Sequence, residues 1–148
     1  MDIQKLFIQY IVENDIENIS LMLKNKKIDP GFNKNQALQM ACNKGFTDIV
    51  KLLLSNKNID PAYIDNYPIQ IASYEGHLDI VKLLLNDKRV NPSDRQNEPI
   101  QMAFRYKNID IINLLWKDKR VKGTLQNDNK ELYNELIKND TKEKIEDF

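Results

Sequence analysis

Two side chains of reactive type occur once each in this 148-residue sequence, the imidazole of His77 and the thiol of Cys42. A general base needs a second positioned partner, and a nucleophilic thiol needs a base or a cationic neighbourhood. Neither residue has one nearby in the sequence. Cys42 follows Ala41, where small residues let helices approach, and reads as a buried, inert thiol. The carboxylates Asp48, Asp79 and Asp110 recur at a fixed step of 31 residues, which makes them architecture and not a catalytic pair. The four glycines are isolated, so no loop is built to cradle a phosphate, and no spacing suits metal ligands. No catalytic residue, metal or cofactor is expected.

Composition narrows the partners further. The 22 basic and 22 acidic residues cancel, and no basic block stands out. Nucleic acid and membrane surfaces both call for a surplus of Lys and Arg, so neither is expected as a partner. A lone cysteine makes no internal disulfide and fits a reducing, intracellular setting, with the cytoplasm as the expected location. The N-terminal MDIQKLFIQYIVEND spaces its apolar residues as a helix does and lacks the form of a signal peptide. No run approaches the roughly 18 apolar residues that cross a membrane.

The elements that must position any site come from internal repetition. NQALQMACNKGFTDIVKLLL (35–54), NYPIQIASYEGHLDIVKLLL (66–85) and NEPIQMAFRYKNIDIINLLW (97–116) share one pattern. Ala41, Ala72 and Ala103 keep the 31-residue step, as do Pro30, Pro61 and Pro92. A period of this size marks stacked supersecondary units. Each unit, 29–59, 60–90 and 91–121, opens with Asp-Pro or Asn-Pro, a turn signal. A polar loop leads to a short helix, with Pro68 and Pro99 in its first turn. Gly45 and Gly76 end that helix as left-handed residues, whereas Lys107 in the third unit makes the corner either strained or differently built. The second helix begins near Asp48, Asp79 or Asp110, where a carboxylate favours the dipole, and carries the apolar triplet. Residues 1–28 read as a degenerate capping unit with Asn14 in place of the glycine. Within 122–148, Leu132, Leu136 and Ile137 suggest one closing helix against Trp116, followed by a charged stretch that is a frayed helix or a disordered tail.

These residues resemble the ankyrin repeat family. Gly76-His77-Leu78-Asp79-Ile80-Val81-Lys82-Leu83-Leu84-Leu85 carries the resemblance most closely, with looser copies at Phe46–Val50 and Asn108–Ile112. The resemblance implies an all-α solenoid of helix-turn-helix repeats with short hairpin loops, and places His77 at a structural corner. Two departures stand out: the period is 31 against the usual ~33, and the family's Thr-Pro-Leu-His tetrapeptide has lost its hydroxyl–imidazole pair. Gln39, Gln70 and Gln101 stand in the imidazole's place as candidate substitutes. The implied function is non-catalytic binding of a partner protein, by a monomer, on the concave face of hairpin tips and first helices. By position, the partner-binding candidates are Lys34, Ile64, Asp65, Tyr67, Tyr74, Arg95, Glu98, Arg105 and Tyr106. Tyr and Arg favour this reading because they offer large contact area together with hydrogen bonds. An architectural or self-associating array without a dedicated partner is the alternative, and an enzyme with an unfamiliar site a remoter one.

Overall fold

A computed structural model describes residues 2–25 and 28–146, and among them ten helices and no strand occur. The helices are α1 (Ile3–Val12), α2 (Ile16–Leu23), α3 (Phe32–Lys44), α4 (Thr47–Leu54), α5 (Tyr63–Glu75), α6 (Leu78–Leu85), α7 (Asp94–Arg105), α8 (Ile109–Trp116), α9 (Lys119–Asp128) and α10 (Lys130–Glu146). They pair in order. The first helices α1, α3, α5, α7 and α9 stack on one another in turn, and α2, α4, α6 and α8 form a second row. One continuous core runs through the stack from Phe7 to Leu136. Every second helix buries a single face, with Ile80, Val81 and Leu84 fully enclosed in α6. An eight-residue helix of this kind has too few internal bonds to persist in water alone, so stacking supplies its stability.

The segment between units is more compact than a hairpin. Asn33, Lys34 and Asn35 all adopt positive φ, and so do Ile64, Asp65 and Asn66, and Arg95, Gln96 and Asn97. Three consecutive left-handed residues turn the chain in little space. Such a backbone costs about 1–2 kcal/mol per non-glycine residue, so other contacts must hold it. The glutamines do so. Gln39 Nε2 donates to the Lys34 carbonyl, Gln70 Nε2 to that of Asp65 and Gln101 Nε2 to that of Gln96, each at 2.6 Å. They replace the lost hydroxyl–imidazole bond with a bond to the turn itself.

Asparagine then ties each turn to the following unit. Buried Asn35 donates to the Asp60 carbonyl at 3.2 Å and accepts from Asp60 N–H at 3.3 Å. Asn66 accepts from Asn91 N–H at 2.7 Å and donates to Asp94 at 2.6 Å. Asn97 donates to Thr124 and Asp128, but its Oδ1 is buried without a partner. The donor expected one period on is Lys122 N–H, which is used inside α9, bonding the Asp118 carbonyl at 3.0 Å.

The corners follow one plan. Gly45 and Gly76 have φ of 76° and 82°, and the capping unit fills the position with Asn14 at 58°. Lys107 takes φ 60°, so the third corner is built like the others and carries the strain. Space matters as well as φ. A Cβ on Gly45 would lie 2.7 Å from the His77 ring, and one on Gly76 3.0 Å from Asn108 Oδ1.

The closing end differs from the single helix expected after residue 121. The pattern Asp87-Lys88-Arg89-Val90 recurs as Asp118-Lys119-Arg120-Val121, but Gly123 stands where Pro92 would break a helix, so α9 forms directly. Leu132 and Leu136 of α10 are buried, while Ile137 is exposed. Trp116 meets Tyr133 edge-to-face at 5.6 Å and donates from its indole to Asp140 at 2.8 Å. The charged stretch continues α10 as helix through Glu146; Asp147 and Phe148 lie outside the described residues. Arg89 and Arg120 add a further tie, donating to the Ile59 and Val90 carbonyls of the preceding unit at 2.7 and 2.9 Å. Asp87 and Asp118 grip these guanidiniums, and the resulting hydrogen bonds hold both carboxyls below the usual aspartate range.

Leu84→Ala is expected to cost about 2–5 kcal/mol in urea unfolding, the range for buried leucines. Lys107→Gly, which relieves the left-handed strain, should raise stability by about 1 kcal/mol. Depressed carboxyl pKa values stabilise above the unfolded aspartate value and lose that contribution as pH falls through the folded one. Stability should therefore fall as pH drops below about 4. An Asp87→Asn/Asp118→Asn variant should be weaker at pH 7 and show a flatter acid limb in thermal unfolding between pH 7 and 3.

Candidate functional surface

The reactive side chains all have structural assignments. His77 caps the start of α6 and places Nε2 3.1 Å from the Asn43 carbonyl of the previous unit, a bond that needs the proton on Nε2. Asn108, one period later, does the same work through bonds to the Ser73 and Tyr74 carbonyls at 2.7 and 3.1 Å. Cys42 is fully buried, and burial pushes its thiol far up, away from a thiolate. Asp48, Asp79 and Asp110 lie in the first turns of α4, α6 and α8, separate from one another. Among the described residues no group of three His, Cys, Asp or Glu side chains gathers to hold a metal. No helix there is long and apolar enough to cross a membrane.

The surface of the first helices is different. Met40, Ile71 and Met102 occupy one place on α3, α5 and α7 and are all half-buried, Met40 and Ile71 against the core. Two adjoining depressions lie along them. One, of about 350 Å³, is bounded by Tyr67, Gln70, Ile71, Tyr74 and Met102. The other, of about 220 Å³, is bounded by Gln39, Met40, Lys44, Tyr67 and Ile71. Tyr67, Ile71 and Asn43 belong to both, so the depressions adjoin as one groove. Asn43 donates to Glu75 at 3.0 Å across its rim. Helical spacing explains the convergence. Tyr67, Ile71 and Tyr74 follow one another by four and three residues, which places them on one face of α5.

The candidates from sequence separate into groups. Tyr67 and Tyr74 meet at the groove, and Tyr74 stacks edge-to-face on Tyr106 at 4.3 Å. The close approach of the Tyr106 side chain raises the Tyr74 hydroxyl above its ordinary pKa. Asp65 and Arg95 form an exposed ion pair at 3.3 Å that joins two neighbouring left-handed turns. Lys34 and Ile64 are exposed in such turns, and Glu98 is half-buried in the first right-handed turn of α7. Arg105 lines a separate cleft of about 470 Å³ beside Phe104, Trp116 and Leu136. The structure therefore does not bring Arg105 to the tyrosine groove. The Met40–Ile71–Met102 floor is absent from the sequence-derived candidates. Its signal was present, an apolar residue at each 31-residue step, but apolar periodicity reads first as core.

A family model described as Ankyrin repeats (3 copies) matches residues 7–94 and, overlapping them, 60–127. No curated protein and no solved structure matches the chain. The matched span covers most of the sequence and coincides with the stacked helix pairs, their glycine corners and the periodic aspartates. Proteins of this kind generally act by contacting other proteins, and that general role is the one supported here. The chain belongs to the ankyrin repeat family.

Proposed function

We propose that the chain binds a partner protein along the first-helix groove, with Tyr67 and Tyr74 as its main contacts. The observation that carries this reading is the pair of adjoining depressions that share Tyr67 and Ile71, one lined also by Met102 and Tyr74 and the other by Met40. Such a groove takes two successive apolar side chains. Methionine floors adapt to the shape of what enters, and tyrosine walls add hydrogen bonds at small entropic cost. The stacked helices hold these walls in place before binding, so little order is lost when a partner docks.

The left-handed turns extend the proposed surface. Ile64 is β-branched, exposed and held at φ 51°, an arrangement that local energetics disfavour. Strain of this sort concentrates where a side chain is needed at a fixed place. With Lys34, the Asp65–Arg95 pair, Glu98 and Tyr106, Ile64 would form the rim. A stable complex would bury about 800 Å² on each side. The binding unit is the monomer.

The test is affinity capture from a matched extract with the wild type and Tyr67→Ala/Tyr74→Ala, both first shown to be equally folded by circular dichroism. A partner held by the wild type should be weakened at least 30-fold in the double variant, about 2 kcal/mol. Equal retention of the same protein by both baits rejects the groove as its binding site.

A further inference from the structure

We propose that a second surface, the lysine stripe Lys57, Lys88 and Lys119, binds an extended acidic segment of a protein. These residues recur at the 31-residue step, two in the turns that follow α4 and α6 and the third at the first residue of α9. All three are exposed, and among the described residues none takes part in an ion pair. Between Lys88 and Lys119 lies an open cleft of about 560 Å³. Its lining includes Arg89 and Arg120 and the polar residues Asn91, Ser93 and Thr124, and none of it belongs to the tyrosine groove.

The charges here differ in kind. Each arginine is held by a carboxylate two residues earlier, Arg89 by Asp87 at 2.6 Å and Arg120 by Asp118 at 2.7 Å. Asp60 adds a further negative charge near Arg89. The guanidiniums are thus largely neutralised and fixed, whereas the lysines keep their charge and their freedom to reach. Stacked helices lie about 8–10 Å apart, which sets the separation of successive lysines. A polyproline II chain advances about 9.3 Å every third residue. A carboxylate at every third position of such a chain would meet one lysine after another.

Nucleic acid fits less well. No aromatic residue lines the cleft to stack on a base, the contact on which single-stranded nucleic acid binding relies.

The experiment is fluorescence anisotropy with a labelled (Glu-Pro-Pro)5 peptide, using the complete chain. Lys57→Gln/Lys88→Gln/Lys119→Gln is compared with the charge-matched Lys5→Gln/Lys51→Gln/Lys130→Gln. The wild type should bind saturably and more weakly as salt rises. The stripe variant should lose about tenfold or more in affinity, while the charge-matched variant stays within about twofold. If the triple stripe variant is misfolded by circular dichroism, Lys88→Gln alone should still lose about threefold. Absence of saturable binding by the wild type, or equal losses in the two triple variants, overturns the proposal. Tighter binding of a hexathymidylate than of the peptide overturns the partner class. Since none of the altered lysines lines the tyrosine groove, failure here leaves that groove's own test unaffected.

Discussion

One asparagine amide per unit governs the spacing of the whole array. Asn35 and Asn66 each sit at the last left-handed residue of a turn, buried, with the side chain bonded to the opening of the next unit. Asparagine suits both demands, since it tolerates positive φ better than most residues and offers a donor and an acceptor together. Burying such an amide is costly unless its bonds are made. That cost selects a single register between neighbours. Once the register is set, the glycine corners, the glutamine clamps and the aspartate-held arginines all meet their partners one unit away.

Strain and satisfaction are therefore coupled in each turn. A run of three left-handed residues is unfavourable by itself, and the bond from Gln39, Gln70 or Gln101 closes it from within the same unit. The neighbouring unit closes it from outside. Hydrophobic burial drives the helices together, but it does not choose among nearby registers, because apolar contact is non-directional. The polar ties make that choice and so hold the tyrosines of successive units at fixed separations.

Most of the architecture was readable from the sequence because it depends on periodic residues. The step of 31 located the helix pairs, and Gly45 and Gly76 located the corners. Their roles require local chemistry only, a left-handed φ or a carboxylate at a helix start. The left-handed turns were not readable. Nothing in Ile64, Arg95 or Gln96 favours positive φ, and the conformation follows from contacts with Gln70, Gln101 and the buried asparagines. The α9 helix was hidden for a related reason, since it replaces an Asn-Pro opening whose absence looked like the end of the pattern. At the candidate surface, Tyr67 and Tyr74 stood out by residue type. The floor of Met40, Ile71 and Met102 looked like ordinary core until its half-exposed position was visible.

The corner geometry bears on how such a chain can change length over evolutionary time. Gly45 receives His77 and Gly76 receives Asn108, and both residues bond back to carbonyls of the preceding unit. Excising residues 60–90 would bring Gly45 against Asn108 and Asn35 against Asn91, pairings of the kind already made by Gly76 and Asn66. The junctions are interchangeable parts. Genetic loss or duplication of one unit leaves no mismatched seam, and the unpartnered oxygen of Asn97 marks the place where the series stops. What such an event alters is the extent of the surface: loss of residues 60–90 would remove Tyr67, Tyr74 and Lys88 in the same stroke.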